Sequence, residues 1–283
     1  MIYTLKNEKI EIKVNSLGAE IISVIKDGKE RMWQNENGEW DGHAPVLFPY
    51  CGTVVVTKFG KDYIGEQHGL ACYIGFALIE QGKDFLRFSA CSSKETKKTF
   101  PYDFILEVIY RLEEDNIVIE YNVGNPSDEN IYYACGGHES FKIEDDIENY
   151  YLEFEKEEDF IDHEVNNDTG HLSGITKSMG KGKILKFSEN KLINDRTIVL
   201  KDINSRKVML KKNDGTIIGE SNFNGINNVL FWRPGLGKTV CIEPWTNLPD
   251  TDNAPSIEFS QKYGVFELEP KKTANFVRLI KYY

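Results

Sequence analysis

The sequence predicts an all-β protein, a large sandwich or barrel. Three observations carry that reading. Short segments alternate polar and apolar residues with period two, turn signals recur between them at roughly 8–12-residue spacing, and no helical stripe of ten residues or more is found.

The elements follow in chain order. Lys9-Ile10-Glu11-Ile12-Lys13-Val14 alternates strictly, which half-buries a strand. Ile21 to Ile25 is a second apolar run, closed by the Asp27-Gly28 turn signal. Phe85 to Phe88, Phe104 to Leu112 and Asn116 to Val123 repeat the pattern, with turns at Gly82-Lys83-Asp84 and Glu113 to Asn116. The last two runs read as a hairpin. The second half offers strands at Ile184–Phe187, Thr197–Leu200, Lys207–Leu210, Ile217–Glu220, Val229–Trp232, Val240–Glu243 and Thr273–Tyr282, with a turn at Asn213-Asp214-Gly215. The acidic stretch from Glu144 to Glu158 contains Tyr150, Tyr151, Leu152 and Phe154, so it reads as a decorated strand and loop. No linker and no repeat of fixed period divides the chain, and one domain over residues 1–283 is the simpler organisation.

Composition narrows the class. The chain has 283 residues, 40% hydrophobic and 28% charged, enough to bury a core without covalent staples. Its five cysteines are widely spaced, with no Cys-x-x-Cys pair, which argues against a disulfide framework and a zinc site and for a reducing compartment. A net charge of −11 disfavours nucleic acid and anionic membrane surfaces as partners. Met1-Ile2-Tyr3-Thr4-Leu5-Lys6 lacks the pattern of a signal peptide, and no apolar run reaches spanning length, so a cytoplasmic location is expected.

Three motifs join a titratable residue to glycine or proline: Gln67-His68-Gly69-Leu70-Ala71, Cys135-Gly136-Gly137-His138-Glu139-Ser140-Phe141, and Cys241-Ile242-Glu243-Pro244-Trp245. Upstream, Pro45 to Gly52 is an apolar, proline-bracketed loop suited to walling a pocket. Singly, each has a plain explanation: a histidine beside glycine bonds its own loop, and Glu243 marks a strand's exit to solvent. Trp33, Trp40, Trp232 and Trp245 read singly as core or rim aromatics, and His43, His163 and His171 as surface groups. His163 and His171, eight apart beside Asp162, Glu164 and Asp168, lack the spacing of a helical zinc motif. Neither a Gly-x-Ser-x-Gly elbow nor a nucleotide phosphate loop is present.

In their order, Leu47-Phe48-Pro49-Tyr50-Cys51-Gly52, His68-Gly69-Leu70-Ala71, Gly136-Gly137-His138 with Phe141, and Cys241 to Trp245 resemble the aldose 1-epimerase (galactose mutarotase-like) family, most closely its bacterial LacX-like branch. The resemblance implies a one-domain antiparallel β-supersandwich that interconverts the α and β anomers of a free aldose. It implies an isomerase that needs no cofactor or metal, acts on a small sugar and can form a homodimer. Carried over residue by residue, Glu243 is the base, His138 the acid and His68 a polar stabiliser. Trp232 and Trp245 are candidates to stack on the sugar, and Asp195 to contact it. Thr53 stands where the family often has arginine, and Leu70 and Cys72 depart from its His-Gly-Phe-Ala-Arg pattern.

Ring opening needs a base at the C1 hydroxyl and an acid at the ring oxygen, which suits these residue types. A carboxylate beside an imidazolium would hold both in their charged forms. Three alternatives stand beside this reading: a carbohydrate-binding protein with weak or no catalysis, a hexose-6-phosphate mutarotase, and a glycoside hydrolase or lyase using Glu139 as a second carboxylate.

Overall fold

A computed structural model describes residues 1–192 and 195–283. Among these residues there is no α-helix; strands are interrupted only by loops and by 3₁₀ turns such as Ala71–Tyr73 and Phe259–Gln261. Local pattern and burial agree. In Ile10–Asn15 buried and half-buried positions alternate along the whole strand, and Asp27 and Gly28 both take positive φ in the tight turn after Glu20–Lys26. Ile105–Glu113 and Asn116–Gly124 pair in unbroken register, as the sequence predicts. The closing strand Thr273–Tyr282 lies beside Asn116–Gly124.

A four-stranded sheet of the N-terminal strands packs with a fifteen-stranded antiparallel sheet, and one apolar cluster runs from Leu5 to Tyr282. Inside that cluster lies one ionic device. Arg278 donates to both carboxylate oxygens of Glu139 at 2.7 Å and to the Tyr121 hydroxyl, with both charged side chains almost fully buried.

Several elements differ from the sequence reading. Tyr150–Val165 and Leu172–Lys186 form one long hairpin with register shifts, in place of a decorated strand and loop up to Glu158 and a separate strand from Ile184. The second strand is mostly exposed and carries Gly174, Gly180 and Gly182, so no alternation marks it. The hairpin Val55–Lys58 with Lys61–Ile64 and the strand Ala77–Gln81 also escape the pattern: Val55–Lys58 is only four residues long with two adjacent buried positions, and the other two strands are largely exposed. No helix among the described residues is long and apolar enough to cross a membrane.

Candidate active site

Strand register brings the site together. Thr239–Trp245 lies between Asn228–Trp232 and the broken strand Gly136–Gly137 and Glu139–Lys142. Glu139 pairs with Ile242 and Leu230 with Glu243, so His138 falls opposite Glu243. Because strand residues alternate between faces, Glu243 and Trp245 leave one face while Ile242 leaves the other. The same alternation sends Glu139 back into the core toward Arg278, away from its neighbour His138.

Two glycines make this arrangement possible. A Cβ at Gly136 would stand 2.8 Å from Cys51 Sγ and from the Pro244 carbonyl oxygen, and one at Gly137 would fall within the Arg278 guanidinium. The Gly-Gly-His motif is therefore a space requirement: the first glycine lets strands close under Trp245, and the second admits the buried ion pair.

His138 Nε2 stands 3.3 Å from Glu243 Oε1, and both side chains are nearly inaccessible. Among the described residues, Glu243 Oε1 and His138 Nδ1 have no hydrogen-bond partner. Buried polar atoms without partners are costly, and at the edge of a cleft they mark where a ligand's own groups belong. Burial first, and the Glu139 carboxylate second, hold the Glu243 carboxyl well above the usual range. Burial, then the neighbouring His68, hold His138 well below its ordinary value. Both directions favour the uncharged forms, against the expectation of a carboxylate beside an imidazolium, because loss of water penalises either charge. The pair is best described as sharing one proton, held on Glu243 in the uncharged arrangement.

His68 adopts φ +67 in its loop. Its Nδ1 accepts the Gly52 N–H at 3.1 Å, and the His68 backbone N–H donates to the Gly52 carbonyl at 2.8 Å. This fixes a neutral imidazole with the proton on Nε2, and burial pushes its pKa down to about 4. The ring stands edge-on to His138 at 5.4 Å and to Trp245 at 5.2 Å. Gly69 takes φ +82, and a Cβ there would overlap the Phe48 carbonyl oxygen, so the loop needs glycine after His68.

The three residues open onto a cleft of about 900 Å³. Thr53, Asp195, Trp232 and Trp245 also line it, as do Trp40 and Cys72. Trp40 lies over His138 with centroids 5.0 Å apart and meets Trp232 edge to face, a role that reading the tryptophans singly misses. Asp195 is held by accepting the Gly235 N–H. The Pro45–Gly52 loop departs from expectation: only Pro45 of it faces the cleft, whereas Phe48, Tyr50 and Cys51 are core residues. Glu20, Glu39, Asp41, Asp168, Asp195 and Glu243 line the cleft, with no lysine or arginine among the described lining residues.

The other histidines lie elsewhere. His163 and His171 line a separate cleft, where His171 pairs with Asp252 at 3.2 Å, and Asp162 is taken by Arg196. His43 is half-buried rather than on the surface, 3.9 Å from Glu20, and burial lowers its pKa.

Comparisons with known proteins agree with this architecture. The chain is 27% identical over 265 residues to the chromosomal LacX protein of Lactococcus lactis subsp. lactis, covering 88% of each. It superposes on a galactose mutarotase related enzyme from Lactobacillus acidophilus with a TM-score of 0.88 at 26% identity, over 100% of this chain and 97% of that one. A galactose mutarotase-like protein from Lactobacillus casei shares the fold, with a TM-score of 0.89 at 21% identity over the full length of both chains. The family model described as aldose 1-epimerase matches residues 1–257, and the chain belongs to that family.

Proposed function

We propose that this chain interconverts the anomers of a free aldose by acid–base ring opening and closure. The observation that carries the reading is the buried His138–Glu243 pair at 3.3 Å, with unpartnered polar atoms at the edge of a cleft large enough for a sugar. In the proposed cycle the hydroxyls of a bound sugar supply the hydrogen bonds that Glu243 otherwise lacks, which favours the carboxylate and moves the shared proton to His138. Glu243 then takes the C1 hydroxyl proton as the bond from C1 to the ring oxygen breaks, and His138 gives its proton to that oxygen. The open-chain sugar faces an uncharged pair. Rotation about the C1–C2 bond and the reverse transfers yield the other anomer. Each such proton transfer is worth about 10²–10⁴-fold. His68 Nε2–H donates to the oxygen on which charge develops, and Trp232 or Trp245 meets an apolar sugar face.

The cleft's carboxylates, with no described basic lining residue, support an uncharged sugar over a hexose phosphate. Glu139 faces Arg278 and supplies no second carboxylate for hydrolysis. The reading keeps one domain, a cytoplasmic setting, a small sugar partner and no cofactor. Polarimetry on a panel of free aldoses tests it. Exchange faster than buffer on at least one sugar is expected. Calorimetric sugar binding without acceleration would favour a carbohydrate-binding protein instead.

A further inference from the structure

Cys241 lies two residues before Glu243 on the same strand, so both side chains leave the same face of the sheet. It is fully buried and carries a free thiol for which acid–base ring opening has no task. The donor atoms of His138, Cys241 and Glu243 all lie within 4.8 Å of one another. Glu243 Oε1 is buried without a hydrogen-bond partner among the described residues, so part of the donor set is uncommitted.

We propose that His138, Cys241 and Glu243 form a site for a thiophilic divalent cation of the Zn²⁺ class, and that its occupancy blocks the acid–base pair. Imidazole, thiolate and carboxylate are the donors zinc takes, and three protein ligands with one open position match an open zinc site. Zinc contact lengths place tetrahedral donors roughly 3.5 Å apart, so the trio needs to close by roughly 1 Å. Mg²⁺ and Ca²⁺ prefer sets of oxygen donors and are poorly served by this trio. The acidic cleft raises the local concentration of cations in front of it. Binding releases the Cys241 thiol proton and the proton shared by Glu243 and His138 to solvent, with no change of oxidation state. The blocking half of the proposal rests on the acid–base reading; the binding half does not.

Co²⁺ titration of the full chain is the test. One equivalent is expected to give a thiolate-to-cobalt charge-transfer band that Zn²⁺ displaces and Mg²⁺ does not. Cys241→Ser is expected to lose the band, with Cys241→Ala as a second variant and thermal unfolding showing that each is folded. Glu243→Gln should weaken binding by at least about 10-fold, the lower range for disturbing a metal's supporting groups. Absence of the band in wild type, or its survival in both Cys241 variants, overturns the site. Anomeric exchange that continues under saturating Zn²⁺ overturns the block. Binding in a protein without any exchange activity would leave the site standing while the acid–base reading fails.

Discussion

Arg278→Met removes one half of the ion pair that lies behind the site. Arg278 donates to both oxygens of Glu139 at 2.7 Å, and their side chains are 1% and 2% exposed. Removing one partner of a buried pair leaves an uncompensated charge and costs about 3–5 kcal/mol. A domain's whole stability is about 5–15 kcal/mol, so the loss is large. With an m-value of about 3 kcal/mol/M, the urea midpoint should fall by roughly 1–1.7 M. Urea unfolding followed by tryptophan fluorescence measures this. Glu139→Leu with Arg278→Met replaces both charges by apolar groups and should recover most of the loss, because no charge is then stranded. A midpoint for Arg278→Met within roughly 0.3 M of wild type, about 1 kcal/mol, would refute the reasoning.

Two predictions concern the proposed chemistry. His68→Phe keeps a ring beside Trp245 but removes the Nε2–H donor, and should lower kcat by about 10²–10³-fold while circular dichroism stays unchanged; an unaltered rate in stopped polarimetry would remove His68 from the mechanism. The pH profile of kcat/KM, taken with a chelator present, should be bell-shaped because only the singly protonated pair works. The acid limb is gain of a second proton on His138, whose pKa is lowered, so it should lie below pH 6.5. The alkaline limb is loss of the proton on Glu243, whose pKa is raised, so it should lie well above pH 4.5. Activity that declines steadily as pH rises through 4.5 would contradict the retained proton.

The legible parts of the sequence are those where burial alternates, and the short continuous apolar runs such as Val240–Glu243 that are buried on both faces. Ile10–Asn15, the hairpin from Ile105 to Gly124 and the strand Thr273–Tyr282 set buried residues between less buried ones along most of their length, and hydropathy shows it. Leu172–Lys186 has little burial to write into its side chains, so only its end, from Ile184, is legible in the sequence. The glycine-flanked histidines and Glu243 could be picked out because backbone constraints sit beside them: Gly69 for its φ, and Gly136 and Gly137 for space. The protonation of the pair could not be read, since it depends on how completely water is excluded. Trp40 has no backbone signature, and only three-dimensional packing lays it over His138. The grouping of Cys241 with His138 and Glu243 is likewise hidden from a search for paired cysteines, because its members come from two different strands.

In the proposed mechanism Glu243 and His138 move protons to and from an aldose. Magnetisation exchange between the anomeric protons of an aldose that the wild-type protein accelerates, measured by NMR for wild type and Glu243→Gln at equal concentration, tests it most directly. Glu243→Gln is expected to exchange no faster than buffer, while remaining folded. Full-rate exchange by folded Glu243→Gln would contradict it.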